Sequence, residues 1–223
     1  MIKFLDILKE SDDNIFIPRG SKEEKDKVLL RRTNDKIQDY IRNGSEGDLD
    51  LLRSPIKFLP KNLTKVGGDL ILTYSQIEKL PDNLIVNGYL SLDFLKNLQS
   101  LPNGLKVKYG LDLRYTNITS LPSDIEVGGN LILMHSQIEK LPDNLTVNGY
   151  LWLDYCKNLQ ELPNGLKVKT SLDLRNTNLT SLPSDLEVGS NLILLNTPIA
   201  RMYTEKQIRK MVSKVEGDIY LYR

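Results

Sequence analysis

"NLTSLPSDLEVGSNLILLNT" occupies residues 178–197, and a near-copy, "NITSLPSDIEVGGNLILMHS", occupies residues 117–136. In each, Leu-x-Leu alternation marks a short strand with two leucines on one face. The Leu-Pro step interrupts regular pairing, because proline has no N–H and restrains the residue before it. That step recurs at Leu59, Leu80, Leu101, Leu121, Leu141, Leu162 and Leu182, always 20 or 21 residues apart. A period this short and this regular defines a repeat protein.

The unit reads V-x-G-x-L-x-L-x-x-[STC]-x-[IL]-x-x-L-P-x-x-L, as in residues 66–84 and, with one residue added, 147–166. Between strands there is no room for a helix and its two turns. The spacing therefore predicts coils whose strands stack into one parallel sheet with little helix behind it. Each coil sends about six apolar side chains to the axis, for instance Leu131, Leu133, Ile138, Leu141, Leu145 and Val147. At roughly 1.5–3 kcal/mol per buried large side chain, stacking on a neighbour outweighs anything one coil gains alone. The expected fold is a repeat solenoid of the α/β class, dominated by β structure: a curved parallel sheet of about nine short strands with helical caps at both ends.

These residues resemble leucine-rich repeats, specifically the short Leu-Pro-containing type known from bacterial effectors and phage-encoded proteins, over residues 46–202. The resemblance implies a binding module that uses its concave sheet, and a phage or bacterial factor that inhibits or recruits a host protein in the cytosol. Where that family has asparagine in the turn after the strand, this chain has Ser54, Ser75, Thr116, Ser136, Thr177 and Thr197, with Leu95 and Cys156 in the longer coils. Hydroxyls can bond the buried turn backbone; Leu95 cannot.

Solenoid ends need covers. Residues 1–45 form the expected N-terminal lead-in and cap, in which Ser21 and Glu24 have capping-box spacing and Leu30, Ile37 and Ile41 share one helical face. Residues 203–223 supply the other: Thr204 and Gln207 as a second capping box, Ile208, Met211, Val212 and Val215 at helical spacing, then a last strand at Ile219 and Leu221. "FLDILKE" (4–10) reads as a short helix or a flexible lead-in. Its Leu8-Lys9-Glu10 looks like the sites that phage prohead proteases cut, which would suit a virion-assembly component.

Thirty Lys plus Arg against twenty-nine Asp plus Glu leave a net charge of +1, so nothing in the balance asks for nucleic acid or an anionic membrane. With one cysteine, no internal disulfide is possible, which fits a reducing compartment. No Sec-type signal or membrane span is readable at the N-terminus. A soluble cytoplasmic protein, monomeric or weakly self-associating, is expected.

Residues 75–135 and 136–196 are two copies of one three-coil block, identical at 48 of 61 positions by direct alignment. If the Leu-x-Leu leucines point inward, the sheet face carries the residue before the first leucine, the one between them and the two after the second. Six of those twelve positions differ (Ser91/Trp152, Phe94/Tyr155, Gly110/Ser171, Tyr115/Asn176, Met134/Leu195 and His135/Asn196), against seven of the other 49. The scaffold is held while the sheet face drifts. Across that face the candidate partner site is Ile132, Met134, His135, Tyr150, Trp152, Asp154, Tyr155, Asp173, Arg175 and Ile193, with Trp152 as its anchor. Trp152 could instead only shield the sheet by packing on Ile132 and Asp173. The Asp112/Arg114 and Asp173/Arg175 pairs read as solvated ion pairs worth little.

Catalytic chemistry has little to stand on. The single histidine, His135, reads as an exposed strand residue, and Cys156 points to the turn column, away from it. No phosphate-binding loop, metal-ligand spacing or EF-hand loop occurs, so no enzyme activity, cofactor or metal is expected.

Overall fold

A computed structural model describes residues 21–221; the "FLDILKE" segment and its Leu8-Lys9-Glu10 site lie outside them. The chain enters through helix α1, Lys22–Arg42, whose first turn is closed as its sequence requires. The Ser21 hydroxyl accepts from the Glu24 N–H, and the Glu24 carboxylate accepts from the Ser21 N–H. Thr33 and Ile37 are buried, and Tyr40 and Ile41 pack on the core. Leu30, expected on that face, is 39% exposed. Only the C-terminal half of α1 lies over the first coil, where Lys36 Nζ donates to the Asp50 carbonyl at 2.7 Å and the Tyr40 hydroxyl accepts from the Gly67 N–H at 3.0 Å.

The array is a parallel β-solenoid. Its main sheet has nine two-residue strands in chain order: Leu49–Asp50, Leu70–Ile71, Leu90–Ser91, Leu111–Asp112, Leu131–Ile132, Leu151–Trp152, Leu172–Asp173, Leu192–Ile193 and Ile219–Tyr220. Every junction is in register, so the first leucine of one coil sits on the first leucine of the next, with Ile219 taking that place in the last strand, and these side chains enter one continuous core. In parallel stacking, a one-residue slip would turn each leucine pair out to solvent.

A single sheet was expected; among the described residues there are three. The repeat's valine and the residue before it form a two-residue strand, exposed then buried in the first six, and these strands form a second ladder on the return side. One run joins Lys65–Val66, Ile85–Val86, Lys106–Val107 and Glu126–Val127; another joins Thr146–Val147, Lys167–Val168, Glu187–Val188 and Lys214–Val215. Two residues per coil give too short an alternation to stand out beside Leu-x-Leu. A glycine follows most of these strands, though not Lys167–Val168, and lets adjacent coils close up: a Cβ on Gly88 would lie against Asp69 Oδ1 and 2.5 Å from the Gly68 carbonyl carbon.

At the C-terminus the eighth coil leaves its turn through α2, Pro198–Met202, capped by Thr197, and then α3, Glu205–Met211, with Thr204 and Gln207 forming the expected capping box. The helical pattern read through Val215 stops earlier, because Val215 belongs to the last strand of the second ladder. The Arg209 guanidinium holds the switch, donating to the carbonyls of Val215 at 2.9 Å and Gly217 at 2.7 Å. Among the described residues no helix is long and apolar enough to cross a membrane.

Candidate interaction face

The first eight main-sheet strands end in the same tight turn. The N–H of the [STC] residue donates back to the second leucine's carbonyl, as from Ser75 to Leu72 at 2.9 Å and from Cys156 to Leu153 at 3.0 Å. The residue just before it has a left-handed backbone: Arg53, Tyr74, Phe94, Tyr115, His135, Tyr155, Asn176 and Asn196 all have φ between 55° and 60°. That conformation is costly for a large side chain and tolerable for asparagine.

Successive turns are one strand spacing apart, about 4.7–4.9 Å, which is also a comfortable ring-stacking distance. Tyr74, Phe94, Tyr115, His135 and Tyr155 therefore form one stack with centroids 4.4, 4.5, 4.7 and 4.5 Å apart and ring planes within 16° of parallel. Arg53 lies over one end and Lys157 over the other. Beyond Tyr155 the column continues as amides, with Asn196 donating to Asn176 at 3.1 Å and Asn176 to Asp154 at 2.9 Å. His135, read as a strand residue, is a turn residue between two tyrosine rings. Sequence reasoning missed the column; its one signal was that asparagine, which favours this backbone, replaces an aromatic at Asn176 and Asn196.

The carboxylates are less exposed than their pattern suggested. Asp154 and Asp173, expected on the solvated face, are only 7% and 4% exposed. Asp173 accepts from its own coil's Arg175 N–H at 3.0 Å and takes the Arg175 guanidinium at 2.7–3.0 Å; Asp112 and Arg114 repeat this one block earlier. The short aspartate reaches the backbone two residues on, and that contact pins it against the sheet. Hydrogen bonding to Asp173 holds the Arg175 guanidinium above its ordinary range, with the charges of Asp173 and Asp154 adding to it. These are anchored pairs, unlike the loose surface pairs first expected.

Trp152 sits in register between Ile132 and Asp173, half-buried, with its ring 5.8 Å from that of Tyr150. Ile132, Met134, Arg175 and Ile193 are half-buried on the same face, and Tyr150 and Tyr155 are exposed. The ten residues named from the sequence thus span one sheet face and its turn edge. Its positions between and just after the leucines are acidic: Asp50, Asp93, Asp112, Asp154 and Asp173 outnumber Arg114 and Arg175.

Behind the turn edge runs the buried [STC] column. Thr116, Thr177 and Thr197 donate to the carbonyls of Leu113, Leu174 and Leu194 at 2.6–2.8 Å. The Ser54 and Ser75 hydroxyls have no partner and that of Ser136 meets only Cys156 Sγ, so the expected bonding to the turn backbone holds for threonine, whose methyl restricts its rotamer. Leu95 fills its place with hydrocarbon alone. Cys156 Sγ lies 3.0 Å from the Leu133 carbonyl and 3.6 Å from Ser136 Oγ, and burial pushes its thiol up to about 11. A thiol held protonated is a poor nucleophile. Among the described residues no group of three or more His, Cys, Asp or Glu side chains could hold a metal ion. Set against known proteins, the chain matches no family model and no curated relative.

Proposed function

We propose that this chain is a leucine-rich-repeat protein of the short bacterial-effector or phage type, and that it works as a non-catalytic module binding a partner protein on the open face of its nine-stranded sheet. The observation that carries this reading is the duplicated block: every buried leucine but Leu95, which becomes Cys156, is kept from copy to copy, while six of the thirteen differences fall on twelve face and turn positions. The face offers what protein recognition uses, aromatic anchors with a polar surround. Its carboxylate excess favours a partner segment bearing Lys or Arg, which would be steered to the site.

The test is capture from a bacterial lysate by wild type, by Trp152→Asp and by Lys167→Glu on the return side, with each variant's fold checked by circular dichroism. A protein held by wild type and Lys167→Glu but lost with Trp152→Asp supports the reading. Loss with Lys167→Glu alone would place binding on the return side and overturn it.

A further inference from the structure

The second ladder is interrupted at one junction. Glu126 and Gly128 donate to the carbonyls of Leu105 and Val107 at 3.1 and 2.8 Å, and Lys167 and Lys169 donate to those of Leu145 and Val147 at 2.9 Å. By the same pattern Thr146 and Asn148 would donate to Ile125 and Val127, yet no pairing joins Glu126–Val127 to Thr146–Val147. The gap is bounded at both ends, for Glu139 donates to Thr119 at 2.8 Å and Gly149 to Gly129 at 3.0 Å. Across the core from it, Leu131 and Leu151 stay paired in the unbroken main sheet. Two adjacent coils that touch on one side and part on the other form a wedge, and this one opens into a cleft of about 600 Å³ lined by Ile85, Ile125, Val127 and Leu145.

One buried position sets the coil at the wedge apart. The position three after the proline is leucine in the neighbouring coils, and Leu84, Leu105, Leu166 and Leu186 are fully buried; Ile125 is only partly so. Isoleucine branches at Cβ and is stiff at χ1, and it carries one δ-carbon where leucine carries two, so it fills less of the space beyond the γ-carbon. The second copy of the block carries leucine here, at Leu186, and its strand pairs with the cap strand Lys214–Val215.

We propose that this seam is a flexure built into the array. The coils up to Glu126–Val127 and those from Thr146–Val147 onward are two stiff blocks, the continuous nine-stranded sheet is the hinge, and the gap between residues 125–128 and 145–148 opens and closes as the blocks bend. Bending alters the approach of the Asp112–Arg114 and Asp173–Arg175 pairs, which lie on opposite sides of the seam, and so tunes the sheet face. The inference stands whether or not that face binds a protein.

Spin labels on the return side test it, in a Cys156→Ser background that copies the serine already present in this column at Ser136. Three cysteine pairs each span three coil steps: Lys65→Cys with Glu126→Cys inside the first block, Thr146→Cys with Lys214→Cys inside the second, and Lys106→Cys with Lys167→Cys across the seam. The across-seam pair should give the broadest distance distribution, and Ile125→Leu should narrow it to that of the other two. By hydrogen exchange on the unlabelled protein, the Thr146 and Asn148 amides should exchange at least about tenfold faster than those of Lys167 and Lys169, and Ile125→Leu should remove the difference. Equal widths for all three pairs, or equal protection of the four amides in wild type, would overturn the proposal.

Discussion

In residues 75–135 the turn edge of the sheet is a run of stacked rings; in residues 136–196 the run ends at Tyr155 and amides take over. Beneath that edge the two copies also satisfy the same buried carboxylate differently. Asp93 accepts from the Thr73 hydroxyl at 2.5 Å, on the coil before it, whereas Asp154 accepts from the Asn176 amide at 2.9 Å, on the coil after it. The counterpart of Thr73 is Met134, which has no donor, and the counterpart of Asn176 is Tyr115. The lesson is that face and edge change together: a donor lost on one side of a buried aspartate is replaced on the other, since an unmet buried carboxylate would cost more than either substitution gains.

The room on the face follows the same rule. Tyr89 lies against Gly110, where a Cβ would come within 2.8 Å of its ring, and sits beside Tyr109 at 5.7 Å. In the second copy Ser171 fills the glycine's place, Thr170 replaces Tyr109, and Tyr150 turns to Trp152 instead. Trp152 is therefore part of a three-position exchange.

The comparison can be broken most forcefully at the shared scaffold. Leu113→Ala and Leu174→Ala truncate fully buried counterparts and should each cost about 2–5 kcal/mol by urea unfolding, equal to within about 0.5 kcal/mol. A clear inequality would mean that the copies pack differently despite their matching sequence. Next comes Cys156, whose counterpart is Leu95. Its thiol is raised by burial from 9.0 to about 11, so the unfolded chain ionises first. The associated stability is complete below pH 9 and drains as pH rises through 11, by about 3 kcal/mol. Cys156→Leu should remove that part of the alkaline slope in thermal melts, and an unchanged slope would show the thiol is not its source. Smaller again is the contrast between Asp173→Ala and Asp112→Ala. Both leave an arginine without its bidentate partner, but the Asp173 side chain is 5% exposed and that of Asp112 15%. We expect a loss of about 1–3 kcal/mol for Asp173→Ala and less for Asp112→Ala, read from chemical unfolding curves.

The period and the leucine positions made the solenoid, its nine-stranded sheet and both capping boxes legible in the sequence, because each depends on local spacing and on side chains that can only go inside. What escaped depends on contact between coils. Asp173 is held against the sheet by the Arg175 backbone N–H and Asp154 by the Asn176 amide of the next coil, and a composition count sees neither. The second ladder rests on two residues per coil, and the seam on one methyl group's position at Ile125. The ring stack was hidden for a related reason: its members, Phe94 and His135 among them, look like surface residues until a shared left-handed turn lines them up.

That stack gives the smallest expected effect and the most direct test of how the copies differ. Tyr115→Asn and His135→Asn install the residues of the second copy, Asn176 and Asn196. Each relieves a left-handed aromatic, worth roughly 1 kcal/mol, and each removes two ring contacts of the order of 0.5–1.5 kcal/mol apiece, so either change alone should move stability by only about 1 kcal/mol. The double variant loses the Tyr115–His135 contact once, not twice, and can form the amide pair seen at Asn196 and Asn176. It should therefore be more stable than the sum of the single effects predicts, by about 0.5–1.5 kcal/mol in a double-mutant cycle. A coupling of zero would mean that the rings are aligned only because the turns align them, and that the first copy keeps its aromatics for what meets the edge from outside.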